Sequence, residues 1–198
     1  MYTFVEQSVG FILNKREKIF STALDLFVEH GFHGTPTSKI AKEAGVANGT
    51  LFHHFKTKED LIIELYLYIK KNVKGDIVSY QPENRSFKES LKLMFLDYVY
   101  GIKDNPKPFK YLTQFKSSPY YSKLQENNID DGSAAFLTFF QNAIDNNEMK
   151  DLDIQLTFIL ISNAVNGVVQ YLDMNNFSKS HEHEIIAQSF EMTWRMLT

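Results

Sequence analysis

The 198-residue chain contains no cysteine, which excludes disulfides, cysteine-ligated zinc, iron–sulfur clusters and thiol nucleophiles. That absence fits a reducing compartment. Glycine and proline are scarce, at 9 and 5 residues, and the prolines punctuate the chain without forming a linker. Neither sign of charge dominates: the net charge is −3 and the isoelectric point near 6.1, so a basic, histone-like coat for nucleic acid is excluded. Any contact with nucleic acid must be local. The longest apolar run near the N-terminus, Val9 to Leu13, is far too short to span a bilayer, and the residues before it carry Glu6 where an export leader would carry positive charge. An unexported, cytoplasmic protein without membrane contact is expected. Aromatic residues, by contrast, are abundant at 14%, with 17 Phe and 10 Tyr against a single Trp. That is more flat apolar surface than a core of this size needs, and it suggests a cavity.

With 43% hydrophobic and 23% charged residues the composition is globular, and a chain of this length buries roughly 70% of its extended-chain surface on folding. The apolar spacing is helical throughout, and strand alternation bounded by hairpin dipeptides is missing. Asn14 with Glu17, Thr57 with Asp60 and Ser86 with Glu89 are helix starts, and Gly31 is a helix stop. The fold class predicted is all-α, with about nine helices near 14–30, 37–44, 48–54, 58–75, 86–104, 107–116, 120–146 with a break near Gly132, 152–174 and 180–197. Short, closely spaced helices give way to long ones around residue 58. This divides the chain into an N-terminal head, 1–58, and a larger helical body, 59–198. Met1 to Gly10 read equally well as an ordered arm, a tail or an added segment.

From Thr37 to Leu61 the chain reads as a short helix, a turn at Gly45-Val46-Ala47 and a second short helix, the pattern of a helix-turn-helix. Ile40, Ala41 and Ala44 supply the inner face of the first helix, and Val46, Leu51 and Phe55 close the core from the second. Asn48, Gly49, Thr50, Phe52, His53 and His54 are left pointing outward. Leu51 and Phe55 already fill the core phase, so Phe52 is expected to be exposed. His53 and His54 are adjacent on a helix, point about 100° apart and cannot chelate a metal together. Lys39, Lys42, Lys56 and Lys58 against Glu43 alone make the stretch from Pro36 to Lys58 basic, at +3, within an acidic chain.

The segment from about Arg16 to Tyr66 resembles the DNA-binding region of the TetR family of prokaryotic transcriptional regulators. The resemblance rests on Ala23, Phe27 and Gly31, on Gly34-Thr35, on Ile40-Ala41 and Ala44-Gly45-Val46, on Gly49-Thr50-Leu51-Phe52 with His54-Phe55, and on Lys58-Glu59-Asp60-Leu61. It implies that Thr37 contacts a phosphate, that Asn48, Gly49 and Thr50 enter the major groove, that Phe52 and His53 lie against bases or sugar, and that His54 and Lys58 grip phosphate. Lys39, a cation in the first turn of a helix where the dipole favours an anion, is expected to face phosphate. Ala47 departs from the pattern: the family commonly has a capping Ser there. Asn48 either takes over that cap or stays free to bond a base.

In the body, Leu156, Phe158, Ile159, Leu160, Ile161, Ala164, Val165, Val168 and Val169 cover more than half the circumference of one helix, so that helix is expected to be buried on two faces. The last helix carries two stripes as well: Ile186, Phe190, Trp194 and Leu197, then Ile185, Met192 and Met196. Ser180 is its expected cap. A homodimer built on these two helices follows, with Phe158, Ile161, Val165, Val168, Phe190 and Trp194 at the interface. The resemblance implies the same, and two heads about 34 Å apart suit a palindromic operator in double-stranded DNA. It also implies a small-molecule inducer in the aromatic-rich region between Tyr66 and Phe140. Phe95, Tyr98, Phe115, Phe136 and Phe139 are candidate lining residues, with Asp97 and Asn163 as polar anchors.

No cofactor and no metal are expected. There is no Gly-x-Gly, no phosphate-binding loop, no Gly-x-Ser-x-Gly elbow and no Glu-x-x-His pair, so an enzyme finds little support. His181-Glu182-His183-Glu184 has strand-like spacing at a helix start and reads as a solvated cap. The alternative within the same architecture is a helix-turn-helix factor that answers to a partner protein and has a filled body core. Repression is the family expectation for the sign of regulation.

Overall fold

The computed structural model describes residues 15–73, 85–126 and 134–198. Among these, ten helices follow one another: α1 (Lys15–His30), α2 (Thr37–Glu43), α3 (Asn48–His54), α4 (Lys58–Val73), α5 (Phe87–Asp104), α6 (Pro106–Lys116), α7 (Pro119–Glu126), α8 (Ala134–Asp145), α9 (Ile154–Asp173) and α10 (Lys179–Leu197). The count exceeds the expected nine because the segment 120–146 is two helices. Asn14, Gly132 and the last two residues of the helix expected to end at 75 lie outside the described residues, as do Met1 to Gly10.

Local chemistry sets the boundaries. Ser86 and Glu89 form a reciprocal capping box, in which the Ser86 side chain accepts from the Glu89 amide and the Glu89 carboxylate accepts from the Ser86 amide at 3.0 Å. Those hydrogen bonds hold the Glu89 carboxyl below its ordinary range. Thr57 and Asp60 exchange the same pair of bonds at the start of α4. Gly31 ends α1 in the left-handed region, φ 73°, where a side chain would be strained. The cap of α10 is Ser178, two residues earlier than Ser180: its hydroxyl accepts from the His181 amide.

Two apolar cores result. The first is built by α1 to α4 with Tyr111, Phe115 and Leu124 from α6 and α7. The second joins α5, α8, α9 and α10 with Phe109 and Met149. Helix α6 belongs to both. Its Phe109 packs at Gly101 of α5, where an added Cβ would come within 3.1 Å of the ring, while Phe115 stacks on Tyr66 at 4.0 Å. The buried Tyr111 hydroxyl donates to the Ile62 carbonyl at 2.8 Å, and burial pushes its pKa well above the ordinary tyrosine value. The N-terminal core thus runs through residue 58 into α4, α6 and α7.

Candidate nucleic-acid interface

The α2–α3 unit is rigid for reasons that can be followed residue by residue. Gly45 takes φ 67° at the end of α2, and the Val46 amide bonds back to the Ala41 carbonyl at 3.0 Å, so the chain reverses within three residues. Ile40, Ala41, Leu51 and Phe55 are buried, and the Phe55 ring lies 5.2 Å from that of Phe20 on α1. The Arg16 guanidinium covers both rings and pairs with Glu64 at 2.6 Å. Thr35 was part of the motif but carried no assigned role. It is fully buried, and its hydroxyl reaches the Leu26 and Gly31 carbonyls, locking the α1–α2 connection. Gly34 beside it has no room for a Cβ against the His30 carbonyl.

Turned outward from this core are the side chains singled out in the sequence. Asn48, Gly49, Phe52 and His53 are exposed; Thr50 and His54 are half-buried. Phe52 keeps 43% of its surface in solvent, a large apolar group that the core does not use. The N-cap of α3 is Ala47, with no side-chain hydrogen bond, and Asn48 is the first helical residue. Asn48 therefore does not cap the helix, and its amide remains available to a base.

Thr37, half-buried, opens α2, whose N-cap Pro36 also offers no side-chain bond. Lys58 is the half-buried first residue of α4, and desolvation lowers its pKa. Lys39 already has local partners: its ammonium donates to His30 Nε2 at 2.8 Å and lies 4.0 Å from Glu43. The cation in the first turn of α2 thus ties that helix to the end of α1. Lys42 and Lys56 are exposed.

Residues 19–65, from α1 into α4, match the family profile "Bacterial regulatory proteins, tetR family". The HTH-type transcriptional regulator QacR of Staphylococcus aureus is 26% identical over 174 residues, covering 84% of this chain and 90% of that protein. A TetR-family transcription regulator from Shewanella sp. PV-4, solved crystallographically, superposes with a TM-score of 0.80 at 27% identity over 93% of this chain and 98% of its own. Residues 19–65 thus carry a TetR-family DNA-binding domain, and over most of its length the chain is similar to TetR-family regulators. The fatty acid metabolism regulator protein of Bacillus subtilis is 37% identical over 78 residues, 39% of this chain and 38% of that one. The DNA-binding helix-turn-helix of that domain is formed by α2 and α3, on an all-α scaffold. No helix among the described residues is long and apolar enough to cross a membrane.

In the body the sequence candidates fall in different places. Phe95, Phe136 and Phe139 are buried in the second core, with Tyr98 half-buried at its edge against Phe109. Burial raises the Tyr98 pKa. Phe115 belongs to the first core, and Asp97 and Asn163 are exposed. The seven residues therefore do not line one cavity together.

The candidate interface residues divide too. Ile161, Val165 and Phe190 are buried in the protomer's own core, and Phe158, Val168 and Trp194 pack half-buried against it. The apolar groups left in solvent are others: Leu156, Ile159, Leu160 and Tyr171 on α9, Met174 at its C-cap, and Met192 and Met196 on α10. At 100° per residue the four on α9 share one face with Asn163 and Gly167, about 120° wide. A Cβ at Gly167 would meet nothing within 4 Å.

Proposed function

We propose that this protein is a homodimeric, operator-binding repressor that a small aromatic or hydrophobic ligand in its body releases from DNA in the cytoplasm. Residues 1–58 form the DNA-binding head and 59–198 the ligand-binding and dimerisation body. The observation that carries the reading is the outward face of α3. Asn48, Gly49, Phe52 and His53 are exposed and Thr50 is half-buried, yet they ride on a helix that Leu51, Phe55 and the Gly45 turn hold rigidly. A side-chain set fixed in space with polar and aromatic tips suits base edges in the major groove, where amide groups bond adenine and apolar groups meet the thymine methyl. Thr37, His54 and Lys58 flank it as phosphate ligands, with Lys39 acting through α2 by its bond to His30.

One short helix reads few bases, so affinity and specificity need two heads on one duplex. The exposed face of α9 and α10 supports pairing of two copies there. Met174 leaves 75% of its surface in solvent and Met192 72%, far more than isolated large apolar side chains need. A ligand that favours a body conformation with a different head spacing then lowers operator affinity by its differential binding.

The test is fluorescence anisotropy with DNA from immediately upstream of the protein's own gene against shuffled DNA of equal length at fixed salt. Tight, sequence-dependent binding at two chains per duplex is expected. Binding that ignores sequence in both that DNA and fragments selected genome-wide would overturn the reading.

A further inference from the structure

At the end of the body away from the head, the start of α5 and the end of α8 leave a shallow depression of about 160 Å³, lined by Arg85, Phe87, Ser90, Phe139, Asn142 and Glu148. Its floor is aromatic: the Phe87 and Phe139 rings lie 5.0 Å apart and both are buried. A cavity of about 150 Å³ holds one benzene-sized ring. Ser90, only 2% exposed as a residue, also lines the depression and adds a polar group beside the two rings.

Opposite charges stand at the rim. Arg85 and Glu148 both line the depression; Arg85 also helps to hold the nearby Glu89 carboxyl low, after the Ser86 hydrogen bonds. The neighbouring charges are already engaged: Glu89 in the capping box with Ser86, Lys88 with Glu191 at 3.0 Å. Glu148 is held in position by the backbone. Asn147 adopts φ 57°, a left-handed conformation that Asn tolerates better than most residues, and the Glu148 and Met149 amides both bond to the Ala143 carbonyl. Met149 is buried beneath the turn.

We infer that this depression binds a small zwitterion carrying one aromatic ring, of the aromatic α-amino acid class, with the carboxylate on Arg85, the ammonium on Glu148 and the ring on Phe87 and Phe139. Ser90 and Asn142 supply the remaining hydrogen bonds. The assignment deepens the ligand-responsive reading above, and its regulatory sense rests on that reading.

Trp194, the only tryptophan, has its ring 5.9 Å from that of Phe87 and reports occupancy by fluorescence. The full chain is titrated with L-phenylalanine, 3-phenylpropanoate and 2-phenylethylamine to about 10 mM. Saturable binding of L-phenylalanine at one per chain is expected, with each half-ligand weaker by about tenfold, the worth of one charge-assisted hydrogen bond. Arg85→Met should remove the advantage over 2-phenylethylamine only, and Glu148→Gln the advantage over 3-phenylpropanoate only. Absence of saturation with L-phenylalanine, or equal binding in both variants and the parent, overturns the proposal. Operator anisotropy with saturating L-phenylalanine separates the two claims: unchanged DNA affinity leaves the site standing on the titration and removes only its role as the inducer site.

Discussion

Phe52, 43% exposed, and Lys58, half-buried, are equipped for different work. A phenyl ring neutralises no phosphate, whereas an ammonium displaces about one counterion. Phe52→Ala and Lys58→Ala are therefore both expected to weaken operator binding, and only Lys58→Ala to flatten the salt dependence, by about one unit of log K per log salt. Anisotropy titrations at four salt concentrations measure both, and equal slopes would refute the division of roles. Ala47 offers a second test, since the start of α3 has no side-chain cap. Ala47→Ser should raise stability by about 1 kcal/mol in denaturant melts, provided Ser bonds the second or third amide of the helix. The outward phase of Phe52 was legible because Leu51 and Phe55 occupy the inward one. The engagement of Lys39 was not: it depends on how closely the end of α1 approaches α2, a tertiary distance that no local pattern encodes.

Helices α9 and α10 were legible in length and in having two apolar faces, but not in which face turns inward. A helix apolar around most of its circumference gives no periodic hint of the choice. Here the inward set is decided by what the aromatic side chains of α5 and α8 can pack against, and Ile161, Val165 and Phe190 fill that space. The outward set separates experimentally from the inward one. Phe190→Ala removes a fully buried ring and should cost about 3–5 kcal/mol of protomer stability. Leu160→Glu changes an exposed side chain, so protomer stability should stay within about 0.5 kcal/mol while the dimer dissociates. Gly167→Leu should behave like Leu160→Glu, because the protomer leaves open space there that only a partner helix would fill. Sedimentation velocity with parallel denaturant melts reads all three. A dimeric Leu160→Glu protein would place the interface elsewhere.

At the scale of the whole molecule, the two cores share α6, whose Phe109 is packed in one and whose Tyr111 and Phe115 are packed in the other. One ion pair adds to the linkage, Lys107 of α6 to Asp25 of α1 at 2.6 Å, although at exposed positions such a pair contributes about 0–1 kcal/mol. The apolar sharing is what couples the head to the body. Loss of either core strips buried surface from α6 and so weakens the other. Unfolding should consequently be one transition, coincident in far-UV circular dichroism and in the fluorescence of Trp194, which packs on the second core. A dimer adds a mass-action term, because association stabilises only the folded chains. A tenfold rise in protein concentration then contributes about 1.4 kcal/mol per dimer and lifts Tm by about 2 °C. Leu160→Glu should abolish that dependence while keeping the single transition. Non-coincident probes would mean that α6 does not couple the cores, and a concentration-independent Tm in the parent protein would mean that the folded chains do not pair over that range.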